Sequence, residues 1–363
     1  MANGDNASVT LAKIRAGTAY FQQDSTTYSD ELKAVQKALY LYGYCPGGAP
    51  DGYFGSGMLG AVKGFQNENG LLNDGLFGQS SLTKLEAWSG TIYGTPTATP
   101  SLDQVRNGLD YYHSGDTGTP VTTIRTLLNN KGYTCASTGS YDADLVNVVK
   151  SFQTAMGLSS DGSAGQGTLA ALEDTISDTA WLSSGTVNLT AGKLARVGFK
   201  NILLRRDIVT LLNNALNTHS INTKEKVKQF LAQCKAETDS GASLVEYIYR
   251  PGTTGTASYA PYYGAGFLQL TWSDAYTQYK AYKGDSKILS PGEYATQHVA
   301  IAYPGDSAGW FWNTYKSFNN NSVVDWSGTA QSICTTLTTK ITGSSSGATT
   351  RYNNYQQISN VLK

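Results

Sequence analysis

The chain has 363 residues, 40% of them hydrophobic, more than one ordinary core holds, which points to two or three folded domains. Charged residues make up only 15%, and acids balance bases at 27 each, so no basic field exists to draw in nucleic acid or anionic lipid. With 24 tyrosines and 39 glycines, the composition suits loop-rich surfaces that stack on sugars or peptides.

Met1-Ala2-Asn3-Gly4-Asp5 lacks the charged and apolar pattern of a signal peptide, and no apolar run approaches the roughly 20 residues of a membrane span. The expectation is a protein made in the cytoplasm without membrane insertion, reaching any target outside after release by another protein. Cys45, Cys135, Cys234 and Cys334 lack metal or redox spacing and are expected to be small buried thiols.

From the N-terminus the chain repeats itself. Ile14-Arg15-Ala16-Gly17 recurs as Val105-Arg106-Asn107-Gly108, Gly43-Tyr44-Cys45 as Gly132-Tyr133-Thr134-Cys135, and Phe65-Gln66 as Phe152-Gln153. Gly70-Leu71, Asp74-Gly75, Gly78-Gln79 and Leu82 return as Gly157-Leu158, Asp161-Gly162, Gly165-Gln166 and Leu169, at spacings of 87 to 91 residues. Each copy reads as short helices joined by Gly/Asp turns. In the first, Leu32, Val35, Leu39 and Leu41 form one stripe, Leu59, Val62 and Phe65 a second, and a third helix lies around Ser81 to Leu85.

The pattern Gly-Tyr…Asp-Gly-Tyr-Phe-Gly…Ala-Val-Lys-Gly-Phe-Gln…Gly-Leu…Asp-Gly resembles the peptidoglycan-binding domain, a small three-helix module. The resemblance covers roughly residues 29–87 and, more weakly, 117–173, where Gly139-Ser140-Tyr141-Asp142 replaces Asp51-Gly52-Tyr53-Phe54-Gly55. Leu11–Tyr20 and Leu102–Tyr112 repeat as well but lie outside the usual module. The alternative is that the bundles are spacers or docking modules. Exposed linkers are expected at Gly90–Pro100 and near Ser177–Thr190.

From Leu189 the repeat stops. Asn222 and Glu225 have capping-box spacing, and Val227, Phe230, Leu231 and Cys234 then recur at helical intervals. Three residues on, the stripe reaches Glu237, before Ser240-Gly241 ends the helix. Burial and the negative helix end both favour the protonated carboxyl that a general acid needs. Pairing with a nearby Lys or Arg explains the position equally well. Glu246 follows nine residues later. Cleavage of a glycosidic bond with inversion takes two carboxyls about 6.5–9.5 Å apart, one protonating the leaving oxygen and one activating water. In Tyr262-Tyr263-Gly264-Ala265-Gly266-Phe267-Leu268-Gln269-Leu270-Thr271-Trp272, the glycines bring backbone close to something, and Gln269 and Thr271 share one face if the segment is extended.

Phe230-Leu231-Ala232-Gln233-Cys234…Glu237-Thr238 and Tyr-Tyr-Gly-x-Gly…Gln-Leu-Thr together resemble glycoside hydrolase family 19, the chitinase and phage-lysozyme family, over roughly residues 187–363. The resemblance implies Glu237 as general acid, Glu246 as general base and Thr271 as the hydroxyl that positions water. It further implies Gln269 as a substrate contact. Tyr262, Tyr263, Trp272, Tyr247 and Tyr249 are candidates to stack on sugar; each singly fits core packing better, and one or two are expected to line the groove. Ala236 stands where the family has His, Ala265 where Arg is common, and Asp239 where Gly is usual, a third acid that either couples to the site or is solvated.

The expected fold is mainly α: peptidoglycan-binding repeats at 1–90 and 101–176, then an α-helical lysozyme-like domain at 187–363. The implied function is a monomeric, muramidase-type endolysin of phage origin that hydrolyses peptidoglycan glycan strands, with no cofactor and no metal. The alternatives are a chitinase of the same family and a non-catalytic wall-binding protein. A zinc amidase would need ligands that His113, His219 and His298 do not cluster to supply. A Cys234/His298 dyad would place its thiol on an apolar helix face.

Overall fold

In the computed structural model, residues 5–44, 50–94, 99–136, 138–199, 207–246 and 255–363 are described. The chain is mainly helical, and its polar punctuation sets where the helices start. Thr10 caps α1 (Leu11–Arg15) by accepting from Lys13 N–H, and Ser29 caps α2 (Asp30–Leu41) by accepting from Leu32 N–H. Then follow α3 (Ser56–Glu68) and α4 (Gln79–Ser89). Leu32, Val35, Leu39, Val62, Phe65, Phe77 and Leu85 are fully buried between them. Leu41's side chain and Cys45 lie outside the described residues.

The second copy repeats this with α5 (Leu102–Arg106), α6 (Thr119–Asn130), α7 (Ala143–Met156) and α8 (Gln166–Glu173) around Val121, Ile124, Leu145, Val149, Phe152 and Leu169. One glutamine in each copy fixes the turn before the last helix. Gln66 Nε2 donates to Asp74 Oδ1 (2.8 Å) and the Leu76 carbonyl (2.9 Å), while Gly75 N–H donates to Gln66 Oε1 (2.9 Å). Gln153 does the same with Asp161 (2.8 Å), Ser163 (2.9 Å) and Gly162 (2.9 Å). Gly75 and Gly162 sit at φ +77° and +81°, where a side chain would also meet Leu59 and Val146.

The short helices ahead of each module are part of the folded unit. Arg15 and Arg106 fork onto Glu86 and Glu173, each with Nη2 to Oε1 at 2.6 Å. Gln79 and Gln166 then donate to the Arg15 and Arg106 carbonyls at 2.8 and 2.7 Å. These contacts brace the first helix of each unit against its last.

The C-terminal part begins earlier than the expected linker allows. Instead of an exposed tether, residues 177–190 carry the fully buried Trp181 and a hairpin, β1 (Leu182–Ser183) and β2 (Thr186–Val187). The hairpin docks on α10 (Ile208–Thr218): Asn217 bonds both main-chain groups of Val187, and Asn213 both of Leu189. The polar run hid one large apolar side chain that outweighs it. In the other expected linker, Ile92 is buried too.

After α9 (Ala191–Arg196) and α10 comes α11 (Lys224–Glu237), in which Val227, Phe230, Leu231 and Cys234 are fully buried, as the stripe requires. Its cap is Thr223, not Asn222: the Thr223 hydroxyl accepts from Lys226 N–H, and Glu225 bonds Gln229 and Tyr355 instead of closing a capping box. Around α11 lie α12 (Ser273–Lys283), α13 (Gly292–Ala302), α14 (Pro304–Trp310) running into a π-helical turn at Phe311–Tyr315, α15 (Ala330–Thr342) and α16 (Ala348–Val361). No helix among the described residues is long and apolar enough to cross a membrane.

The first copy is seated on this part. Ile301 of α13 joins its core, and Gly64 of α3 packs so closely on Gln297 that a Cβ would lie 2.5 Å from Oε1. His298 places Nδ1 2.7 Å from Glu68 and Nε2 2.8 Å from Asp285. The second copy joins through α8 and α9, where the buried Lys193 meets Asp174 at 3.0 Å.

Candidate active site

Glu237 is the last residue of α11, and the chain then turns sharply: Asp239 and Ser240 adopt φ +47° and +58°, and Thr238 Oγ1 accepts from Gly241 N–H at 2.9 Å. The stripe delivers Glu237 to the edge of the core rather than into it, with its side chain 18% exposed. Arg351 Nη2 of α16 donates to its Oε1. The basic partner that sequence reading left open is thus present, and it is supplied by a helix more than a hundred residues away.

The turn leads to residues 244–246, which pair with 264–266 in an antiparallel bridge. Glu246 N–H donates to the Gly264 carbonyl (2.9 Å), and Gly264 N–H donates back to Glu246 Oε2 (2.9 Å). Tyr259 donates to Glu246 Oε1 at 2.5 Å. That hydrogen bond, with burial second, pushes the Tyr259 phenol up to about 12. Both carboxylate oxygens of Glu246 are therefore held, which fixes where the group points.

Gln269 and Thr271 meet, but not on an extended strand. Ala265 pairs with Leu270 across a turn, with Gln269 at φ +49°. Gln269 Nε2 donates to the Gly266 carbonyl (2.9 Å), and Thr271 donates to the Gln269 carbonyl (2.6 Å), leaving its hydroxyl oxygen to accept. What the two glycines admit is now defined. A Cβ on Gly264 would meet Gln269, and one on Gly266 would meet Ser307 and the Pro304 carbonyl.

Glu237, Glu246, Gln269, Thr271 and Trp272 line one open cleft of about 790 Å³, together with Tyr259, Leu268, Phe311, Tyr315 and Lys316. Trp272 is 55% exposed and packs against Tyr259, leaving apolar surface open to the groove. Tyr263 is buried and Tyr262 packs on Tyr276; neither lines the cleft. Tyr247 and Tyr249 lie outside the described residues. Asp239 is exposed and does not line the cleft. Tyr259 and Arg351 went unnoticed in the sequence: a lone Tyr among many carries no signal, and Arg351 acts only through the packing of α16 on α11.

The Cys234/His298 dyad finds no geometry. Burial pushes the Cys234 thiol well above its ordinary range, and His298 spends both ring nitrogens on carboxylates. Cys135, Cys234 and Cys334 are buried free thiols.

Residues 28–85 and 117–172 match the family described as putative peptidoglycan binding domain. The chain is also similar to two solved structures of chitinase C, one from Streptomyces griseus HUT6037 and one of a mutant. Identities are 22% and 20%, covering 42% of this chain and 83% of each of those, with a TM-score of 0.32 in both cases. No curated protein matches the chain.

Proposed function

We propose that the protein is a peptidoglycan hydrolase that cuts glycan strands by an inverting, two-carboxylate mechanism, its N-terminal repeats holding it to the wall. The observation that carries this reading is the convergence of Glu237, Glu246, Gln269 and Thr271, from three stretches of chain, on one cleft with an exposed indole.

Glu237 acts as the general acid. Arg351 occupies Oε1, so Oε2 is the oxygen that carries the proton to the leaving group. Glu246, pinned by Gly264 and Tyr259, takes a proton from water on the opposite face of the sugar, and the Thr271 oxygen orients that water. The Gln269 amide meets polar groups of the sugar, and Trp272 offers its face to a ring. In this reading the chain acts as a monomer at the bacterial wall, as an endolysin released by a separate membrane pore.

Zymography on purified peptidoglycan tests the assignment. Wild type is expected to clear the gel and Glu237→Gln to lose at least a hundredfold of that activity. Full clearing by the variant removes Glu237 from the mechanism. Mass spectrometry of released fragments identifies the bond: reducing-end N-acetylmuramic acid is expected, and activity on chitin oligomers alone reassigns the substrate.

A further inference from the structure

The two copies use the same Arg–Glu pair for different ends. In the first, the pair holds one residue of main chain. Arg15 donates to the Ile92 carbonyl, Ile92 N–H donates to Glu86 Oε1 at 2.9 Å, and the Ile92 side chain is buried in the module's core. Arg15 and Glu86 thus read a peptide residue by its C=O and its N–H together, a geometry indifferent to the side chain.

In the second copy Arg106 and Glu173 keep the same fork, but the chain beyond Glu173 leaves in another direction. Asp174 departs with extended ψ 114°, its carboxylate goes to Lys193 and its carbonyl to Lys131. Lys193 also takes the Ile176 carbonyl. Among the described residues no main-chain group stands at Arg106 and Glu173 where Ile92 stands at the first pair. Their side chains are 44% and 31% exposed, against 36% and 17% for Arg15 and Glu86. They line a cleft of about 550 Å³ between α5, α8, α9 and the start of α10, walled on its apolar side by Ala170, Ile176 and Val209. That volume lies within the ordinary range of ligand sites, about 300–1,000 Å³.

We propose that this cleft binds a short extended peptide, one residue of which takes at Arg106 and Glu173 the place that Ile92 takes at Arg15 and Glu86. Its carbonyl accepts from Arg106, its N–H donates to Glu173, and its small apolar side chain faces Ala170 and Val209. With Asp174 neutralised by Lys193, the rim carries Asp103 and Glu173 against Arg106, which favours a peptide bearing a free amine over one bearing an added carboxylate. Resting on the wall-binding reading above, the ligand is the peptide stem that crosslinks glycan strands. The glycan strand cut at Glu237 and the stem held at Arg106 are then two chemically different parts of one polymer.

The test is titration of the full chain with N-acetyl-Ala-Ala-Lys-amide, followed by calorimetry. The wild type is expected to bind saturably. Arg106→Ala is expected to bind at least tenfold more weakly, as is Ala170→Trp, which fills the cleft without touching the ion pair. Arg106 forms a partly exposed pair outside the module's core, so that variant keeps its fold, and circular dichroism verifies it. No binding by the wild type overturns the proposal, as does binding undiminished in both variants. So does a tri-N-acetylglucosamine probe that displaces the peptide, which would make the cleft a sugar site. The titration contains no wall substrate, so it stands or falls apart from the Glu237→Gln zymogram.

Discussion

Two copies of one module have kept their cores and changed their edges. Phe65 and Phe152, Gln66 and Gln153, and Arg15 with Glu86 and Arg106 with Glu173 superpose in role almost bond for bond. The differences include a buried clasp inside each copy as well as the face by which it is seated. Gln36 of the first holds Asp51, Gly52 and Tyr53; in the second Arg125 stands there, forked onto the Ala136 and Ser140 carbonyls and Asp142. Gly64 admits Gln297, whereas Ser151, its counterpart, faces solvent. Duplication kept the central phenylalanine, the turn-fixing glutamine and the Arg–Glu brace, and changed both the clasp and the seat.

The largest expected effect tests the shared part. Phe65→Ala and Phe152→Ala should each cost about 3–5 kcal/mol, and agree within about 1, in denaturant titrations followed module by module. A large inequality would mean that the cores are no longer equivalent.

Next come the diverged clasps. Arg125→Ala leaves the Ala136 and Ser140 carbonyls without their donor and should cost about 2 kcal/mol, Asp142 keeping its bonds from Leu145 and Thr138; Gln36→Ala strands the Gly52 N–H and should cost a similar amount. Chemical denaturation of each variant would show whether cation and amide are interchangeable solutions.

Smaller, and one-sided, is the seat. Gly64→Leu should cost about 1–3 kcal/mol and lift the first copy from α13, while Ser151→Leu should stay within about 0.5 kcal/mol. Hydrogen exchange across 292–302 separates the two outcomes.

The most subtle effect is pH. Burial lowers the pKa of His298, but Glu68 and Asp285 outweigh it and the net shift is upward; Tyr303 donates to the same Asp285 carboxylate at 2.8 Å. A raised histidine stabilises the seat fully below its ordinary value and loses that contribution as pH rises through the raised one. Protection factors at 56–68, corrected for intrinsic exchange, should therefore fall on the alkaline side, and His298→Gln should flatten that profile.

Much of this was legible in the sequence. The stripes through Leu32, Val62 and Phe230 define α2, α3 and α11 because apolar periodicity reports burial directly, and the Gly/Asp turns announce themselves. In the site, Glu237, Glu246, Gln269, Thr271 and Trp272 fall together in one cleft. The route to Gln269 and Thr271 differs from strand alternation, because Gln269 takes a left-handed conformation that few residue types signal. Thr223 and Asn222 are both capable caps, and only packing chose between them. Arg351 and the seating of Gly64 on Gln297 depend on elements far apart in the chain, which no local pattern encodes.

The brace between α1 and α4, repeated between α5 and α8, has a practical corollary for anyone moving these modules to another protein. A graft cut where the family match begins, at residue 28 or 117, would discard Arg15 or Arg106 and deprive Glu86 or Glu173 of its guanidinium partner. The transplantable cassette starts instead ahead of Asn6 and the core residue Val9 in the first copy, and at Ser101, the cap of α5, in the second.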